Sequence, residues 1–128
     1  MKQKKHVQYK AIFKQDDQTD TVQYQSVGIY KKEEKTSLSF HTDEYTIVIS
    51  YHDSQIRLQH GQSTLNFDLE KEIWNQYQLP YGTVPLKTKV CLFEANDIHI
   101  KLKYELYDYQ SLVTTVYILI TMSEWEDA

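Results

Sequence analysis

TVPLKTKVCLFEANDIHIKLKYELYDYQSLVTTVYILITM (residues 83–122) is the stretch that decides the fold. Apolar and polar residues alternate through it with a period of two, which is typical of strands with one buried face and one wetter face. Two sets of residues share a predicted inner face: Ile98, Ile100, Leu102, Tyr104 and Leu106, then Leu112, Thr114, Val116, Ile118, Ile120 and Met122. The stretch therefore predicts two or three long β-strands in succession, with no helix between them.

The first two thirds of the chain repeat this pattern in shorter segments. Alternation predicts strands over residues 5–13, 21–30, 37–41, 45–51, 55–60 and 63–69. Breaks with turn chemistry separate them, at 16–18, 31–35, 42–43, 52–54 and 60–62. Connections this short cannot hold the crossover helices of a parallel sheet, so the pattern predicts an antiparallel meander.

Residues 70–79 leave two interpretations open. Leu69, Ile73 and Tyr77 lie four apart, which fits a short helix, whereas an irregular strand fits the weak alternation almost as well. Beyond Met122, residues 123–128 predict an acidic C-terminal tail. The whole chain thus predicts an all-β fold of eight or nine strands with at most one short helix.

Length and composition predict one domain spanning residues 1–128. Lys and Arg number 14 against 18 Asp and Glu, and this net charge of −4 argues against nucleic acid as a partner. Cys91 is the only cysteine, so nothing marks an oxidising compartment. No apolar run has the length of a signal peptide or a membrane span. We therefore expect a cytoplasmic protein with no membrane partner.

A meander of this size with a single apolar face must close in order to bury it. An up-and-down antiparallel β-barrel does so and removes the exposed sheet edges. A sandwich of two sheets is the competing architecture, and alternation alone does not distinguish the two.

Several segments resemble the YwiB family, uncharacterised bacterial β-barrel proteins of the Firmicutes that share a domain of unknown function. They are VQYQSVGIY at 22–30, YQLPYG at 77–82, LKT at 86–88, I-x-I-x-L-x-Y at 98–104 and VYILIT at 116–121. The YQLPYG turn with Thr88 after it is the most specific of them. The resemblance implies a lipocalin-like (calycin-type) barrel in the cytosol, without established activity or known catalytic residues. The chain departs from the family at Gln59, where relatives tend to carry Arg.

The chain contains 11 tyrosines, and several of them fall on the predicted inner face. A fully packed small barrel favours Val, Leu and Ile, because a buried phenol needs a hydrogen-bond partner. Inward hydroxyls could instead line a partly polar cavity, or bond to one another, to water or to main chain. The candidate ligand-binding residues are Tyr9, Tyr24, Tyr30, Tyr45, Tyr51, Thr88, Tyr104 and Thr114.

Other chemistry finds little support in the sequence. No two of the five histidines have metal-ligand spacing, so we predict no metal and no cofactor. Cys91 is expected to be a half-buried structural thiol, although adjacent lysines could activate it. No set of nucleophile, base and orienting residue is visible, and we expect a protein that is not an enzyme. Lys87, Lys89, Lys101 and Lys103 form the only candidate basic face for nucleic acid.

Two functions remain as hypotheses. The first is a barrel that binds one small amphipathic ligand, such as a fatty acid or another carboxylate, through tyrosine hydroxyls. The second is a non-catalytic interaction or structural module, with a homodimer as one form of it, that uses the outward apolar residues Ile12, Val27, Ile29, Tyr117 and Leu119.

Overall fold

The structure, a computed structural model, describes residues 2–109 and 111–125. Ten strands account for most of these residues: β1 (Lys2–Gln15), β2 (Gln18–Lys32), β3 (Thr36–His41), β4 (Thr46–His52), β5 (Gln55–His60), β6 (Ser63–Asp68), β7 (Ile73–Leu79), β8 (Gly82–Ala95), β9 (His99–Asp108) and β10 (Ser111–Glu124). No helix occurs in the described part, and hence none that is long and apolar enough to cross a membrane. The strand that the sequence left undecided is β7, so the helical interpretation of residues 70–79 is wrong. Trp125 and the strand residues Ser123 and Glu124 account for half of the predicted tail, and residues 126–128 lie outside the described residues.

The strands form one antiparallel sheet in the order β6-β5-β4-β3-β2-β1-β10-β9-β8-β7. Every strand pairs with its neighbour in sequence, except that β1 also pairs with β10 and that β6 and β7 share no ladder. The sheet curls into a nearly closed barrel with β6 and β7 at its two edges. The predicted all-β antiparallel barrel is therefore confirmed, with ten strands rather than eight or nine.

Most of the predicted turns are two-residue hairpins. Asp16, Asp53, Gly61 and Tyr109 each begin such a turn with a positive φ, between 54° and 63°. Asp and Gly tolerate this region better than most residues, which is why these positions carried a turn signal in the sequence. Gln110, the second residue of the last predicted turn, lies outside the described residues.

Two β-bulges reverse the faces predicted from alternation. The ladder of β8 with β9 shifts between Val90 and Leu92, and the ladder of β10 with β9 shifts between Leu112 and Thr114. As a result Phe93 packs against the core in place of Leu92, and Leu112 is exposed. Ile98, also predicted to face inward, lies before β9 and is exposed as well. A bulge adds one residue to one strand, and nothing in the local alternation marks it.

The barrel interior is filled by the inward faces of all ten strands. Phe40, Phe67 and Ile118 are among the largest side chains with no more than 1% of their surface exposed. Gly28 on β2 lies in close contact with β1 and β3: a Cβ built on it would lie 2.7 Å from Val7 Cγ2 and 3.0 Å from the Ser39 carbonyl oxygen. The missing side chain at Gly28 leaves room for Val7 Cγ2 and for the main chain of β3.

Side chains close the gap between β6 and β7. The amide of the buried Asn75 accepts a hydrogen bond from Asn66 N (2.7 Å) through Oδ1 and donates to Asn66 O (3.0 Å) through Nδ2. The Thr88 hydroxyl also donates to Asn66 O, at 2.8 Å. Ser63 Oγ donates to Gln78 O at 2.8 Å. We call Asn66, Asn75 and Thr88 the seam, because they join strands that no ladder pairs.

Replacing Asn75 tests the seam. Asn75→Ala removes a buried amide and leaves the part-buried Asn66 N–H and C=O without their partners, and we expect the free energy of unfolding to fall by about 2–3 kcal/mol. Urea denaturation measures the change. The exposed neighbour Gln76→Ala is the control, expected to change the free energy of unfolding by no more than about 0.5 kcal/mol. Equal losses in the two variants would contradict a closing role for Asn75.

Gly28→Ala tests the close approach. An ordinary Gly→Ala change within a strand is mildly stabilising, because alanine loses less backbone entropy on folding. Here the new methyl would meet Val7 and the main chain of Ser39, so we expect a loss of about 1–3 kcal/mol from overpacking. Ser26→Ala, two residues earlier on the same face, provides the comparison in the same denaturation experiment. A neutral or stabilising Gly28→Ala variant would show that the strands have room to spare.

Candidate functional site

The eight predicted residues separate into two tyrosine clusters and two threonines. Tyr9, Tyr24, Tyr45 and Tyr104 gather towards one end of the barrel, and we call them the mouth cluster. The rings of Tyr9 and Tyr24 are 6.1 Å apart between centroids, on directly paired residues of β1 and β2. Tyr30 and Tyr51 lie at the other end, since Tyr30 follows Tyr24 on β2 by six residues, or about 20 Å.

A cavity of about 110 Å³ lies beside the mouth cluster. Its walls combine apolar and polar side chains. They are Tyr9, Phe13, Leu58, His60, Ser63, Leu65, Tyr77, Tyr104, Val116 and Ile118. Tyr24 and Tyr45 lie next to this set: Tyr24 stacks on Tyr9, and the Tyr45 ring is 3.9 Å from the His60 ring between centroids. We call this space the mouth cavity.

Three phenols of the mouth cavity lack hydrogen-bond partners. Within residues 2–109 and 111–125, no group accepts from or donates to the hydroxyls of Tyr9, Tyr77 and Tyr104. In the same residues, every side-chain nitrogen or oxygen shut off from solvent has a partner. These hydroxyls therefore border space that a water molecule or a ligand atom can enter, and they are free to bond to it.

The mouth cavity is electrically neutral. Burial raises the pKa of Tyr104, and the nearby phenols Tyr9 and Tyr77 raise it further. Burial, with Tyr24 beside it, raises the pKa of Tyr45 to about 12. Burial lowers the pKa of His60, so this ring stays uncharged at neutral pH. No lysine, arginine or carboxylate lines the cavity. Its hydroxyls can therefore donate to or accept from a polar group, but no opposite charge there compensates an ion.

The second cluster is a structural tie. The Tyr30 hydroxyl donates to Asp97 Oδ1 at 3.0 Å, and Lys32 Nζ lies 3.4 Å from the same oxygen. The hydrogen bond from Tyr30 and then the charge of Lys32 lower the pKa of Asp97. Tyr51 packs edge-on against Phe93, with 5.2 Å between ring centroids. These contacts fasten β2 and β4 to β8 and to the β8–β9 turn, and they engage the Tyr30 hydroxyl.

The two threonines are also engaged. Thr88 is buried, and its hydroxyl donates to the main chain of Asn66 at the seam. The Thr114 hydroxyl donates to Lys14 O at 2.9 Å, at the far end of β1. Of the predicted set, the structure thus brings only Tyr9, Tyr24, Tyr45 and Tyr104 together. Whether any of the eight residues binds a ligand stays a prediction.

His60, Ser63 and Tyr77 belong to the mouth cavity but were missed from the sequence. His60 falls in the break predicted at 60–62, yet it is the last inward residue of β5 and is half-buried. Tyr77 lay in the segment with two open interpretations. Alternation extended backwards from the inward Leu65 reaches Ser63, and this signal could have added it to the set.

A larger surface depression lies elsewhere, on the outer face of β4, β5 and β6. It measures about 670 Å³, and its charged lining includes Arg57, Lys35 and Lys71 together with Glu34 and Asp68. None of the predicted ligand residues lines it. Because charges of both signs alternate around an open groove, no single ligand charge is favoured there.

The other predicted chemistry also acquires places in the fold. Among the described residues, no three His, Cys, Asp or Glu side chains come together as metal ligands, and metal binding stays untested. Cys91 is exposed rather than half-buried, because it is the extra residue of the β8 bulge. Burial of its sulfur and the nearby Glu105 raise the pKa of this thiol rather than lowering it.

Glutamates interrupt the candidate basic face. Lys89 lies opposite Glu105 on the β8–β9 ladder, and Lys101 lies opposite Glu94. Such pairing of opposite charges across strands disperses the positive potential that a nucleic-acid phosphate backbone would need.

Comparison with known proteins identifies a matching family and a solved structure with a similar fold. The family model described as a domain of unknown function (DUF1934) matches residues 7–120. The crystal structure of the ywiB protein from Bacillus subtilis aligns with a TM-score of 0.72, covering 95% of this chain and 93% of that one at 13% sequence identity. At this identity the likeness shows the fold alone. No curated protein matches the chain. The resemblance to the YwiB family is confirmed.

His60 makes stability depend on pH. Its pKa is lowered in the folded protein, so the unfolded chain takes up this proton first as the pH falls. We expect its contribution to be intact above about pH 6.5 and to be lost as the pH falls through the lower folded pKa. Urea denaturation between pH 8 and pH 5 should show a smaller loss of stability in His60→Gln than in the unchanged protein. The exposed His52→Gln is the control, and parallel pH profiles for His60→Gln and the unchanged protein would refute the expectation.

Proposed function

The chain belongs to the DUF1934 family, whose description assigns no activity, and from that premise we propose that it is a barrel that binds one small, uncharged amphipathic molecule in the mouth cavity. The observation that carries the proposal is the set of unpartnered phenols of Tyr9, Tyr77 and Tyr104 around an otherwise apolar space. Ligand sites commonly combine apolar walls with a few converging polar groups.

Cavity size narrows the class of ligand. The mouth cavity, at about 110 Å³, is somewhat smaller than a 150 Å³ protein cavity that binds benzene, and well below the roughly 300–1,000 Å³ of sites for drug-sized molecules. It favours a single ring or a short chain that carries one oxygen. A fatty acid could place only one end of its chain inside.

The charge of the cavity lining narrows the class of ligand further. A carboxylate head group would leave water for a space without a cation, where only neutral phenols and a neutral imidazole could solvate it. An alcohol, ketone or phenol oxygen needs no such compensation, and it can accept from one tyrosine hydroxyl and, if protonated, donate to another. The proposal therefore favours an uncharged polar group over the carboxylate expected from the sequence.

A non-catalytic role is part of this proposal. His60 is the one candidate base in the cavity lining, and no nucleophile other than the Ser63 hydroxyl lines the cavity with it. Ser63 donates its proton to the main-chain oxygen of Gln78, away from His60. The cytoplasmic location suggested by the lone cysteine stays a prediction.

A protein-interaction module is the alternative, and the outer surface offers support for it. Of the five outward apolar residues named from the sequence, only Val27 is exposed. A different row crosses four strands through the paired residues Trp74, Lys87, Tyr107 and Leu112, and Trp74 and Leu112 are each 52% exposed. Trp74 and Lys87 are in cation–π contact, with 5.8 Å from Nζ to the ring centroid. This contact occupies part of the row and leaves less of it for a partner protein.

The ligand proposal is tested with a matched pair of Tyr→Phe variants on β9. Tyr104→Phe removes a hydroxyl that has no partner in the described structure, so its stability should match or exceed that of the unchanged protein. Tyr107→Phe removes an outer hydroxyl, which donates to Glu105 Oε1 at 3.0 Å. Ligand-observed NMR with a panel of small alcohols, ketones and phenols measures binding.

We expect at least one class in the panel to bind the unchanged protein and to bind Tyr104→Phe about five- to tenfold more weakly. Tyr107→Phe should bind it with unchanged affinity. Absence of binding across the panel, or equal losses in both variants, would count against the mouth cavity as a ligand site. Native mass spectrometry of protein exposed to a bacterial small-molecule extract then identifies ligands outside the panel by a discrete added mass that disappears on denaturation.

A further inference from the structure

Two thirds of β2 forms an open sheet edge. β2 pairs with β1 along its whole length, but β3 covers only Gly28–Lys32. Among the described strands, none pairs with the other side of residues 18–27. A ten-residue segment of a long strand in an otherwise nearly closed barrel thus has a described strand on one side only.

The direction of these groups follows from the hairpin. A two-residue turn makes Gln15 and Gln18 a hydrogen-bonded pair, and bonded pairs then alternate along the β1–β2 ladder. Even-numbered residues of β2 exchange hydrogen bonds with β1. Odd-numbered residues, from Thr19 to Val27, therefore turn their N–H and C=O groups outward along the free edge.

This edge lacks the protection that open edges usually carry. Natural sheets guard such edges with lysine, proline, bulges or very short strands. Residues 18–27 contain no lysine and no proline, Asp20 is their single charged residue, and their ladder with β1 has no register shift. The part of β8 beyond Thr88, which likewise has a ladder on one side only, carries Lys89, Glu94 and a bulge at Cys91. The free edge of β8 thus carries charges and a bulge that hinder strand pairing, whereas the free edge of β2 has neither lysine nor bulge.

We propose that the free edge of β2 pairs with the same edge of a second copy of this chain, forming a symmetric dimer through an antiparallel β2–β2 ladder. Strand addition to an open edge gains its affinity from main-chain hydrogen bonds. Under two-fold symmetry, a ladder centred on Gln23 places Val22 opposite Tyr24 and Thr21 opposite Gln25. Asp20 then faces Ser26, so the edge meets its own copy without opposing like charges. A self-complementary patch is what a symmetric dimer requires.

Pairing in this register would bring the mouth clusters of the two copies together. Tyr24 faces inward on β2 beside Tyr9, and in the dimer it lies next to Val22 of the second copy. The dimer is independent of the proposed ligand, because main-chain geometry and edge chemistry alone predict it.

Disulfide trapping tests the register directly. In a Cys91→Ser background, which removes the exposed native thiol, Gln23→Cys places two cysteines opposite each other with about 5.5 Å between Cα atoms, within disulfide range. The control is Thr21→Cys in the same background, on the same face and edge. Its two cysteines would be separated by about 14 Å along the ladder and cannot bond. We expect Gln23→Cys to form a disulfide-linked dimer under mild oxidation and Thr21→Cys to remain mostly unlinked.

Sedimentation velocity on proteins without new cysteines provides the second measurement. The unchanged protein should pass from monomer to dimer as its concentration rises. Gln23→Pro removes one outward N–H from each copy without breaking the β1 ladder, and we expect the dimer dissociation constant to rise about tenfold or more. Gln23→Ala keeps the main chain and should dimerise as before. A strictly monomeric protein, equal cross-linking of the two cysteine variants, or a dimer that Gln23→Pro leaves intact would each overturn the proposal, the last by locating the interface on another face.

Discussion

The barrel depends on one buried amide. The ten-stranded sheet begins at β6 and ends at β7, and no ladder joins these edges. Asn75 offers an acceptor and a donor on one planar group, so its side chain pairs with the N–H and C=O of Asn66 as another peptide unit would. It is only 5% exposed, and the main-chain groups that it meets would otherwise be left unpaired at the barrel wall. The Asn75 side chain therefore makes the hydrogen bonds across β6 and β7 that a neighbouring strand would otherwise make.

The seam divides the polar groups of the interior into two kinds. Near it, Asn75 and Thr88 bond to each other and to main chain, so they hold the strands together and are not available to a ligand. At the mouth, the phenols of Tyr9 and Tyr104 are equally buried but lack partners among the described residues. Their hydroxyls border space that a water molecule or a ligand atom can enter, so either of these can supply the missing hydrogen-bond partner. The polar side chains at the seam thus have protein hydrogen-bond partners, whereas the hydroxyls of Tyr9 and Tyr104 at the mouth have none among the described residues.

Alternation predicted most of this architecture, because side-chain direction in a strand follows directly from residue parity. It failed wherever parity changed. The bulges near Cys91 and Leu112 moved Phe93 inward and Leu112 outward, and a one-residue insertion of this kind has no signature in composition. The seam could not be predicted from the sequence either, because Asn66 and Asn75 contact each other only once the barrel brings β6 and β7 together. The inward tyrosines were predictable one by one, but their separation into a mouth cluster and a tie depends on three-dimensional register.

The two ends of β2 are held differently. At its C-terminal end, β3 covers the strand and the hydrogen bond from Tyr30 to Asp97 fastens it across the barrel. Along residues 18–27, none of the described strands pairs with its other side, and the inward residues there include Tyr24 of the mouth cluster. The two ends of β2 therefore take different roles, because β3 pairs with Gly28–Lys32 only: the paired end is fastened across the barrel, and the end without β3 carries a tyrosine of the mouth cluster.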